Sequence, residues 1–343
     1  MPVYNREHLV TSAIRSVLGQ SFRDLECLVI DDGSTDRTAE VVAAIDDPRL
    51  RLVRNPRNLG IPRTRNRGID LARGAYVAML DSDDVALPHR LEVQTSFLDS
   101  HPDVAAVGSW VRLIDDGGKL LARERKGPAS PRAIELSLLF RTVPMQSSML
   151  FRRPILERYR YREDFPVMQD RELFGRLARR EKISCLQESL VHMREHAGRI
   201  TRARRADRDA LRRKIVEMRL REMGIRATAD DVDRHLLLGR EEPGAGRVTL
   251  DAEMLAWAER WMLALVERAR SEAPEEGDAV FEEAAFLWQR FLRRARDRVG
   301  RGVLRRYVDS PLTRPHRAAV QRWLKPRYWR RLKRAVARGG RSV

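Results

Sequence analysis

The sequence predicts an α/β fold followed by an all-helical region. Short apolar runs alternate with helix-like stretches over the first 110 residues, and two of these runs end in acidic turns. Beyond residue 202, apolar residues recur at helical spacing. Strands that alternate with helices indicate a mostly parallel sheet with helices on both faces. The 343 residues suffice for about two domains, which we expect at 1–202 and 203–343.

The predicted elements follow in chain order. Four early apolar runs have the length of buried strands: 25–30, 50–53, 75–80 and 104–113. Three stretches between them have helical spacing: 38–45, 63–72 and 90–98, the last opened by Pro88. Residues 128–200 mix helices with short strands at 149–151 and 183–186. The later region has helical repeats at 252–270 and 281–291, separated by polar segments.

Composition excludes several classes of protein. With 43% hydrophobic residues the chain is neither wholly disordered nor collagen-like. Its two cysteines, Cys27 and Cys185, make no disulfide framework and fit a reducing compartment. The N-terminus does not resemble a signal peptide, and no apolar run is long enough to span a bilayer. We therefore expect a cytoplasmic protein, either soluble or peripheral on the inner face of the cytoplasmic membrane.

The net charge of +18 is concentrated in the second region. Residues 1–200 carry 32 Lys and Arg against 28 Asp and Glu, whereas residues 201–343 carry 35 against 21. Such an excess attracts polyanions, which include nucleic acids, anionic lipids and phosphorylated small molecules. The alternative is an arginine-rich composition with solvated helix faces. Nucleic acid is not the expected partner, because the sequence has neither zinc-finger spacing nor an aromatic-basic RNA-binding signature.

Two acidic turns follow predicted strands. Asp81-Ser82-Asp83-Asp84 comes directly after the 75–80 run, and Asp31-Asp32-Gly33-Ser34-Thr35-Asp36 follows the 25–30 run. Clustered carboxylates repel one another unless a cation compensates, and their oxygens suit Mg²⁺ or Mn²⁺ that also binds phosphates. The alternatives are an acidic turn that caps the next helix and a simple βα loop. Because ligands of open α/β sheets bind beyond the carboxyl ends of the strands, the two turns predict a nucleotide-diphosphate site.

The order of the motifs resembles that of family 2 glycosyltransferases. The matching segments are Pro2-Val3-Tyr4-Asn5-Arg6-Glu7, the two acidic turns, Asn58-Leu59-Gly60-Ile61, Arg65-Asn66-Arg67-Gly68, Gln169-Asp170-Arg171-Glu172-Leu173 and Arg194-Glu195-His196. They cover about residues 1–200. The resemblance implies a GT-A fold, with a mostly parallel Rossmann-like sheet and flanking helices, and an inverting enzyme that uses a nucleotide-sugar donor.

The resemblance also implies roles in nucleotide binding. Pro2, Tyr4 and Glu7 would line the nucleotide pocket, with Tyr4 beside the base. Asp32, in preference to Asp31, would accept a hydrogen bond from the base imide N–H. The alternative for Tyr4 is a place in the hydrophobic core.

Further roles concern the diphosphate and the reaction. Arg65 would bind the diphosphate through its guanidinium. Asp81 would face the donor ribose or sugar, and Asp83 would ligate Mg²⁺ or Mn²⁺. His196 would make a further metal or diphosphate contact, and Asp170 would be the catalytic base. The alternatives are that His196 is an incidental loop histidine and that Arg194 lies on the surface.

Two features depart from the family pattern. The family has a full strand before the Pro-x-Tyr-Asn motif, and here Met1 lies inside that motif, so the first strand is expected to be missing. Either the start codon is assigned too late or the protein is truncated and compromised. Gln169 replaces the acidic residue often found before the catalytic aspartate, which would relieve repulsion on Asp170.

The C-terminal segment 312–343 mixes tryptophans with cations and contains no acidic residue. A basic segment of this kind suits an anionic membrane surface, where tryptophan rings lie at headgroup depth. The alternative is a terminal helix that packs its tryptophans on the helical region.

Three functions are therefore compared. The first is an inverting transfer of sugar from a nucleotide-diphosphate donor, expected to be a UDP-sugar, to a hydroxyl of a glycan or lipid-linked acceptor. The second is a catalytically impaired relative that binds nucleotide without turnover. The third is a nucleic-acid-binding protein that acts through its basic half, for which strongly salt-dependent retention on DNA or RNA would be the evidence. The ordered motifs favour the first.

Overall fold

A computed structural model describes residues 1–196, 205–239, 249–299, 306 and 310–313. Its strands, in chain order, are β1 (Pro2–Val3), β2 (Cys27–Asp31), β3 (Leu50–Arg54), β4 (Tyr76–Ala78), β5 (Val85–Ala86), β6 (Val104–Ile114), β7 (Leu120–Arg125), β8 (Leu150–Arg152) and β9 (Lys182–Arg194). Its helices are α1 (Val10–Leu18), α2 (Thr38–Ala43), α3 (Ile61–Leu71), α4 (Arg90–Ser100), α5 (Pro131–Leu138), α6 (Arg153–Tyr159), α7 (Gln169–Ala178), α8 (Arg205–Glu222), α9 (Ala229–Gly239), α10 (Ala252–Glu272) and α11 (Gly277–Val299). The predicted α/β region and the helical region after it are both confirmed.

The first sheet is parallel and has the order β1-β2-β3. The structure has a two-residue strand inside the Pro-x-Tyr-Asn motif, and the strand expected to be missing before that motif stays a prediction. Pro2 and Val3 pair with Ile30 and Asp31, and the Met1 amino group donates to the Leu28 carbonyl at 2.8 Å. Backbone pairing with β2 holds this short strand in place. The loop after it is therefore held at the carboxyl edge of the sheet.

The second sheet is mixed and has the order β4-β8-β6-β9-β5, with β7 added beside β6. The long strands β6 and β9 are parallel, while β4, β5, β7 and β8 join antiparallel. The sequence predicts a mostly parallel sheet, and that arrangement holds for β1–β3 and for the β6–β9 pair. The difference arises because β6 returns through the β7 hairpin and β8 pairs with β4 and β6 in the opposite direction.

The chain divides into two compact units. The first contains residues 1–134 and 142–212, and the second contains residues 135–141 and 213–343. Residues 135–141 fall in the domain expected at 1–202, but Leu136, Leu139 and Phe140 belong to the apolar core of the helical unit. Two polar contacts strengthen this attachment, since Ser137 and Arg141 both bind Glu283 of α11. The second unit is therefore built from two parts of the chain, the segment 135–141 and the residues from Arg213 onward.

Two further expectations concern cysteines and membranes. Cys27 and Cys185 are buried free thiols. Across the parts of the chain that the structure describes, no helix is both long and apolar enough to cross a bilayer. The proposed membrane segment 312–343 lies outside the described residues, apart from its first two.

Candidate active site

Asp32 lies just beyond β2 and organises the loop that follows β3. Its carboxylate accepts hydrogen bonds from the N–H groups of Leu59 (2.9 Å) and Gly60 (3.0 Å). It also accepts from the Asn55 side chain at 2.7 Å. Because a carboxylate offers about four acceptor positions, Asp32 keeps about one for a ligand. This geometry is compatible with the predicted contact to the base.

Asp31 is fully buried, and its carboxylate stabilises the first acidic turn. Its two oxygens accept from the Ser34 N–H at 3.0 Å and from Arg54 Nε at 2.9 Å. Gly33 completes the turn at φ +73°, where an added Cβ would lie 2.6 Å from the Arg57 carbonyl carbon. These contacts favour Asp32 over Asp31 as the nucleotide ligand.

Tyr4 lies directly after β1, and it is 40% exposed. The alternative that Tyr4 packs in the core is therefore wrong. The next residue, Asn5, adopts a left-handed backbone with φ 51°, a conformation that asparagine tolerates. Its N–H donates to Ser34 Oγ at 3.0 Å, and its Oδ1 accepts from the Thr35 N–H at 2.9 Å. Asn5 thus fixes the Tyr4 loop to the first acidic turn.

Glu7 contacts the start of α2. Its Oε2 accepts from the Arg37 N–H at 3.0 Å, and its own N–H donates to Asp36 at 3.3 Å. These bonds place Glu7 at the same sheet edge as Tyr4. Pro2 is half-buried in β1. Their predicted places in the nucleotide pocket remain predictions.

The second acidic turn directs its three carboxylates to three different partners. Asp81 accepts from Arg65 Nη2 at 2.6 Å. Asp83 Oδ2 lies 2.8 Å from His196 Nε2. The third, Asp84, is buried and points back into the protein. Within this turn, Asp81 is therefore paired with an arginine and Asp83 with a histidine.

Asp84 has a structural role that the sequence analysis did not assign. It accepts hydrogen bonds from the Ser147 hydroxyl and from the Arg194 N–H at 2.9 Å. Burial, with the charges of Asp83 and Asp81, raises the pKa of Asp84 well above its usual value. The next helix, α4, begins after His89 and has no side-chain cap. The capping alternative for this acidic turn is therefore wrong.

Arg65 on α3 is the central cation of the site. It is 6% exposed, and its guanidinium lies over the Tyr161 ring at 5.3 Å. Only Nη2 has a hydrogen-bond acceptor; within the described residues, Nε and Nη1 are buried and have none. Burial tends to lower the pKa of Arg65, but the charges of Asp81 and Asp170 are among those that raise it overall. A buried cation with two unused donors is suited to an anionic ligand.

Asp170 lies in the first turn of α7 and close enough to Arg65 to feel its charge. Burial raises the pKa of Asp170 above its ordinary value, and Arg65 opposes this shift. One oxygen accepts from the Arg171 N–H at 2.8 Å. A raised pKa increases the affinity of the carboxylate for a proton, which is the property a general base requires. The preceding Gln169 is buried, and its Oε1 has no partner among the described residues.

Arg194 is 5% exposed, so the alternative that it is a surface arginine is wrong. Its Nε donates to the Asp83 carbonyl at 3.0 Å, and its Nη1 donates to the carbonyls of Asp115 (3.1 Å) and Asp116 (2.7 Å). It thereby joins the second acidic turn to the β6–β7 hairpin and to the end of β9. His196 follows two residues later and reaches Asp83, so it is more than an incidental loop histidine.

The residues present are compatible with the predicted Mg²⁺ or Mn²⁺. Asp83 and His196 supply one carboxylate and one imidazole within 2.8 Å of each other. The described part of the chain contains no group of three or more His, Cys, Asp or Glu side chains that could hold a metal by themselves. Nucleotide sites often bind Mg²⁺ through one or two carboxylates, and substrate phosphates complete the coordination. Two protein ligands therefore fit a metal that is shared with a diphosphate.

The structure gathers the predicted residues in two connected groups. The group at the β1–β3 edge contains five of them: Pro2, Tyr4, Glu7, Asp31 and Asp32. The other group contains the other five: Arg65, Asp81, Asp83, Asp170 and His196. Sequence reasoning missed Asn5, Asp84 and Tyr161, of which only Asn5 carried a local signal, through its tolerance of positive φ.

Comparisons with known proteins agree with this arrangement. The model of the Glycosyl transferase family 2 matches residues 1–186. An uncharacterised glycosyltransferase of Methanocaldococcus jannaschii is 30% identical over 199 residues, which is 57% of this chain and 69% of the relative. The succinoglycan biosynthesis protein ExoO of Rhizobium meliloti is 37% identical over 161 residues, or 45% of each chain.

Two more relatives have informative names. An Escherichia coli β-1,3-glucosyltransferase named for UDP-Glc and a GlcNAc-diphosphoundecaprenol acceptor, WfgD, is 40% identical over 98 residues. This match covers 29% of the chain and 39% of the relative. Among solved structures, TarS of S. aureus in complex with UDP-GlcNAc has a TM-score of 0.56 at 19% identity, with 86% of each chain covered. At that identity, the TarS match supports the fold alone.

The family match and the fold support the same conclusion by separate routes. The matched residues 1–186 contain both acidic turns, Arg65 and Asp170. They make up more than half of the chain. We conclude that this chain belongs to glycosyltransferase family 2 and is a glycosyltransferase with the GT-A fold.

Proposed function

We propose that the enzyme transfers a sugar from a nucleoside diphosphate donor, a UDP-sugar, to a hydroxyl group of a glycan or lipid-linked acceptor, with inversion at the anomeric carbon. The observation that carries this proposal is the buried Arg65 guanidinium, which donates to Asp81 through Nη2, lies within electrostatic reach of Asp170, and has no partner for Nε and Nη1 in the part of the chain that the structure describes. The complexes of TarS with UDP and UDP-GlcNAc support a donor of this class. The names of ExoO and WfgD support a glycan or lipid-linked acceptor.

Each residue has a distinct part in the proposed reaction. Tyr4 and Asp32 bind the base, and Asp81 orients the donor ribose or sugar. Arg65 donates hydrogen bonds to the diphosphate and stabilises the charge that develops on it as the glycosidic bond breaks. A divalent metal held by Asp83 and His196 would add Lewis-acid stabilisation of the same leaving group when bound.

Asp170 acts on the acceptor side. It removes the proton of the attacking hydroxyl while the new bond to the anomeric carbon forms and the bond to the diphosphate breaks. A single displacement of this kind inverts the anomeric centre. Asp170 is the only carboxylate that we assign to this step.

Thermal stability in the presence of nucleotides tests the donor site. We expect UDP to raise the Tm more than GDP, dTDP or CMP, and Mn²⁺ to increase that shift. Asp83→Ala should abolish the metal-dependent part, because it removes a ligand that the phosphates cannot replace. The matched control is Asp70→Ala, which removes an exposed carboxylate of α3. A well-folded protein whose Tm responds to none of these nucleotides would contradict the proposal.

We also propose that the enzyme works in the cytoplasm, at the inner face of the membrane, through segment 312–343. The support is the sequence of that segment, which combines tryptophans with cations. Full-length protein should float with vesicles that contain anionic lipid, and a variant ending at residue 311 should remain in the soluble fraction. Equal behaviour of the two forms would refute the membrane contact without affecting the proposed transfer reaction.

A further inference from the structure

Gln146 lies against the second acidic turn. It begins a single 3₁₀ turn, Gln146–Ser148, that precedes β8. The Asp81 N–H donates to Ser147 Oγ at 3.2 Å, and the same hydroxyl donates to Asp84. The backbone next to Gln146 is therefore fixed to the loop that carries Asp81 and Asp83.

The Gln146 side chain is buried and half-satisfied. It is 6% exposed, and its Nε2 donates to the Tyr161 hydroxyl at 2.6 Å. The other end of the amide, Oε1, is buried and has no partner within the described residues. If the amide were turned over, the nitrogen would be left in the same position instead, so one end is unpaired in either orientation. An unpaired buried polar group is costly, and its retention indicates a partner that arrives from outside the chain.

Tyr161 connects this amide to Arg65. The tyrosine backbone is held on both sides by Asn66, which accepts from the Tyr161 N–H at 2.9 Å and donates to its carbonyl at 2.8 Å. Arg65 lies over the ring of the same tyrosine. Two groups that are only partly satisfied within the described residues thus flank Tyr161: a guanidinium with two unpartnered nitrogens and an amide with one unpartnered end.

The chemistry of the two groups differs, and so do the ligands that they suit. The guanidinium is suited to the diphosphate. The amide is neutral, and its tyrosine partner stays neutral because burial raises the pKa of Tyr161 to about 12. A neutral polar environment suits an uncharged hydrogen-bonding group such as a hydroxyl or an acetamido group. Gln146 is linked to the Asp81 turn through Ser147 and to Arg65 through Tyr161, whereas the base is assigned to Asp32.

We propose that Gln146 recognises the sugar that is transferred from the donor. The unpartnered end of its amide would form a hydrogen bond with a hydroxyl or acetamido group of that sugar. This inference rests on the proposed function, since it requires a nucleotide-sugar in the site. It makes Gln146 a specificity-determining residue, with Tyr161 and Asn66 as the residues that position its amide.

Binding of UDP and of UDP-sugars to Gln146→Met separates the two contributions. Methionine keeps the length of the side chain and removes the amide. We expect the Kd for UDP to stay within about twofold of wild type, because Gln146 does not contact the nucleotide. The Kd for the tightest of UDP-glucose, UDP-galactose and UDP-GlcNAc should rise about three- to tenfold, the effect of one neutral hydrogen bond. Gln187→Met, at an exposed glutamine bonded to the Gly127 carbonyl, is the control and should leave both constants unchanged.

Monodeoxy analogues of the same donor test the contact in the wild-type protein as well as in the variant. Wild type should lose affinity for the analogue that lacks the group read by Gln146, and Gln146→Met should not distinguish that analogue from the parent donor. Tyr161→Phe removes the hydroxyl that holds the Gln146 amide. Like Gln146→Met, this variant should therefore distinguish the analogue from the parent donor less well than the wild-type protein does.

Two results would overturn this inference and leave the proposed function intact. In the first, Gln146→Met binds the UDP-sugar with the same Kd as the wild-type protein. In the second, Gln146→Met loses the same amount of affinity for UDP as for the UDP-sugar. Failure of wild type to bind UDP at all would instead overturn the proposed function and this inference with it.

Discussion

Asp170→Asn is expected to lower the turnover of donor about 10²- to 10⁴-fold, the usual contribution of a general base. The amide retains the size and the hydrogen bond to the Arg171 N–H but cannot take a proton. Turnover is measured as nucleoside diphosphate released from the donor that the Tm titration identifies. Binding of that donor should change little, because Asp170 acts on the acceptor.

The same substitution should leave the protein at least as stable as wild type at pH 7. Because burial raises the pKa of Asp170 in the folded state, the folded protein binds the proton more tightly than the unfolded chain does. The ionised carboxylate therefore reduces stability above that pKa, and the neutral amide avoids this cost. Wild-type activity should fall as the pH drops through the raised pKa of Asp170, while residual activity of the variant should lack this dependence. Asp164→Asn, at a half-exposed residue paired with Arg162, is the control. An active Asp170→Asn enzyme would exclude Asp170 as the base.

Arg65→Met is expected to weaken UDP binding roughly 10- to 100-fold, since charge-assisted hydrogen bonds contribute about 1.5–3 kcal/mol. Methionine fills much of the same space but cannot donate to the diphosphate. Arg65→Lys should recover only part of the loss, because an ammonium lacks the planar fork that bonds two phosphate oxygens. Calorimetric titration with UDP gives the Kd of the wild-type protein, Arg65→Met and Arg65→Lys.

The control for this prediction lies on the same helix. Arg63 of α3 forms an exposed ion pair with Glu163, so Arg63→Met removes a positive charge two residues away without touching the site. UDP should bind Arg63→Met with nearly wild-type affinity. If the Arg63 and Arg65 variants lost affinity equally, the effect would be a general loss of positive charge and not a specific contact.

The sequence predicted the parts of the fold that local patterns determine. The apolar run at 25–30 became β2, which ends at Asp31, the first residue of the acidic turn, so the rest of that turn lies at the carboxyl edge of the sheet. The helical repeat at 252–270 became α10 for a similar reason, since one face of it is continuously apolar. The proximity of Asp83 and His196 was anticipated only through the family resemblance.

Other features depend on contacts between distant residues, for which the local sequence has no signal. The sequence left a surface position open as an alternative for Arg194, but its guanidinium is buried and donates to three carbonyls from two loops, which offsets the cost of burying the charge. Gln146 lies in an unremarkable polar stretch, and its importance appears only when Tyr161 is placed beside it. The two-residue β1 was equally unpredictable, because its pairing depends on the ladder that β2 offers.

The segment 135–141 has a consequence for how the protein can be made and divided. Its apolar side chains are synthesised early, yet α11, the last helix that contributes to the core around them, ends at Val299, more than 150 residues later. While the ribosome completes that distance, Leu136, Leu139 and Phe140 lack part of their native core and remain open to premature association. The helical unit therefore cannot be exchanged between proteins as a C-terminal cassette, since a transfer that omitted 135–141 would leave a gap in its core. A fragment ending near residue 202 would keep 135–141 but lose the helices that cover it. Leu136, Leu139 and Phe140 would then form an exposed apolar patch that favours aggregation.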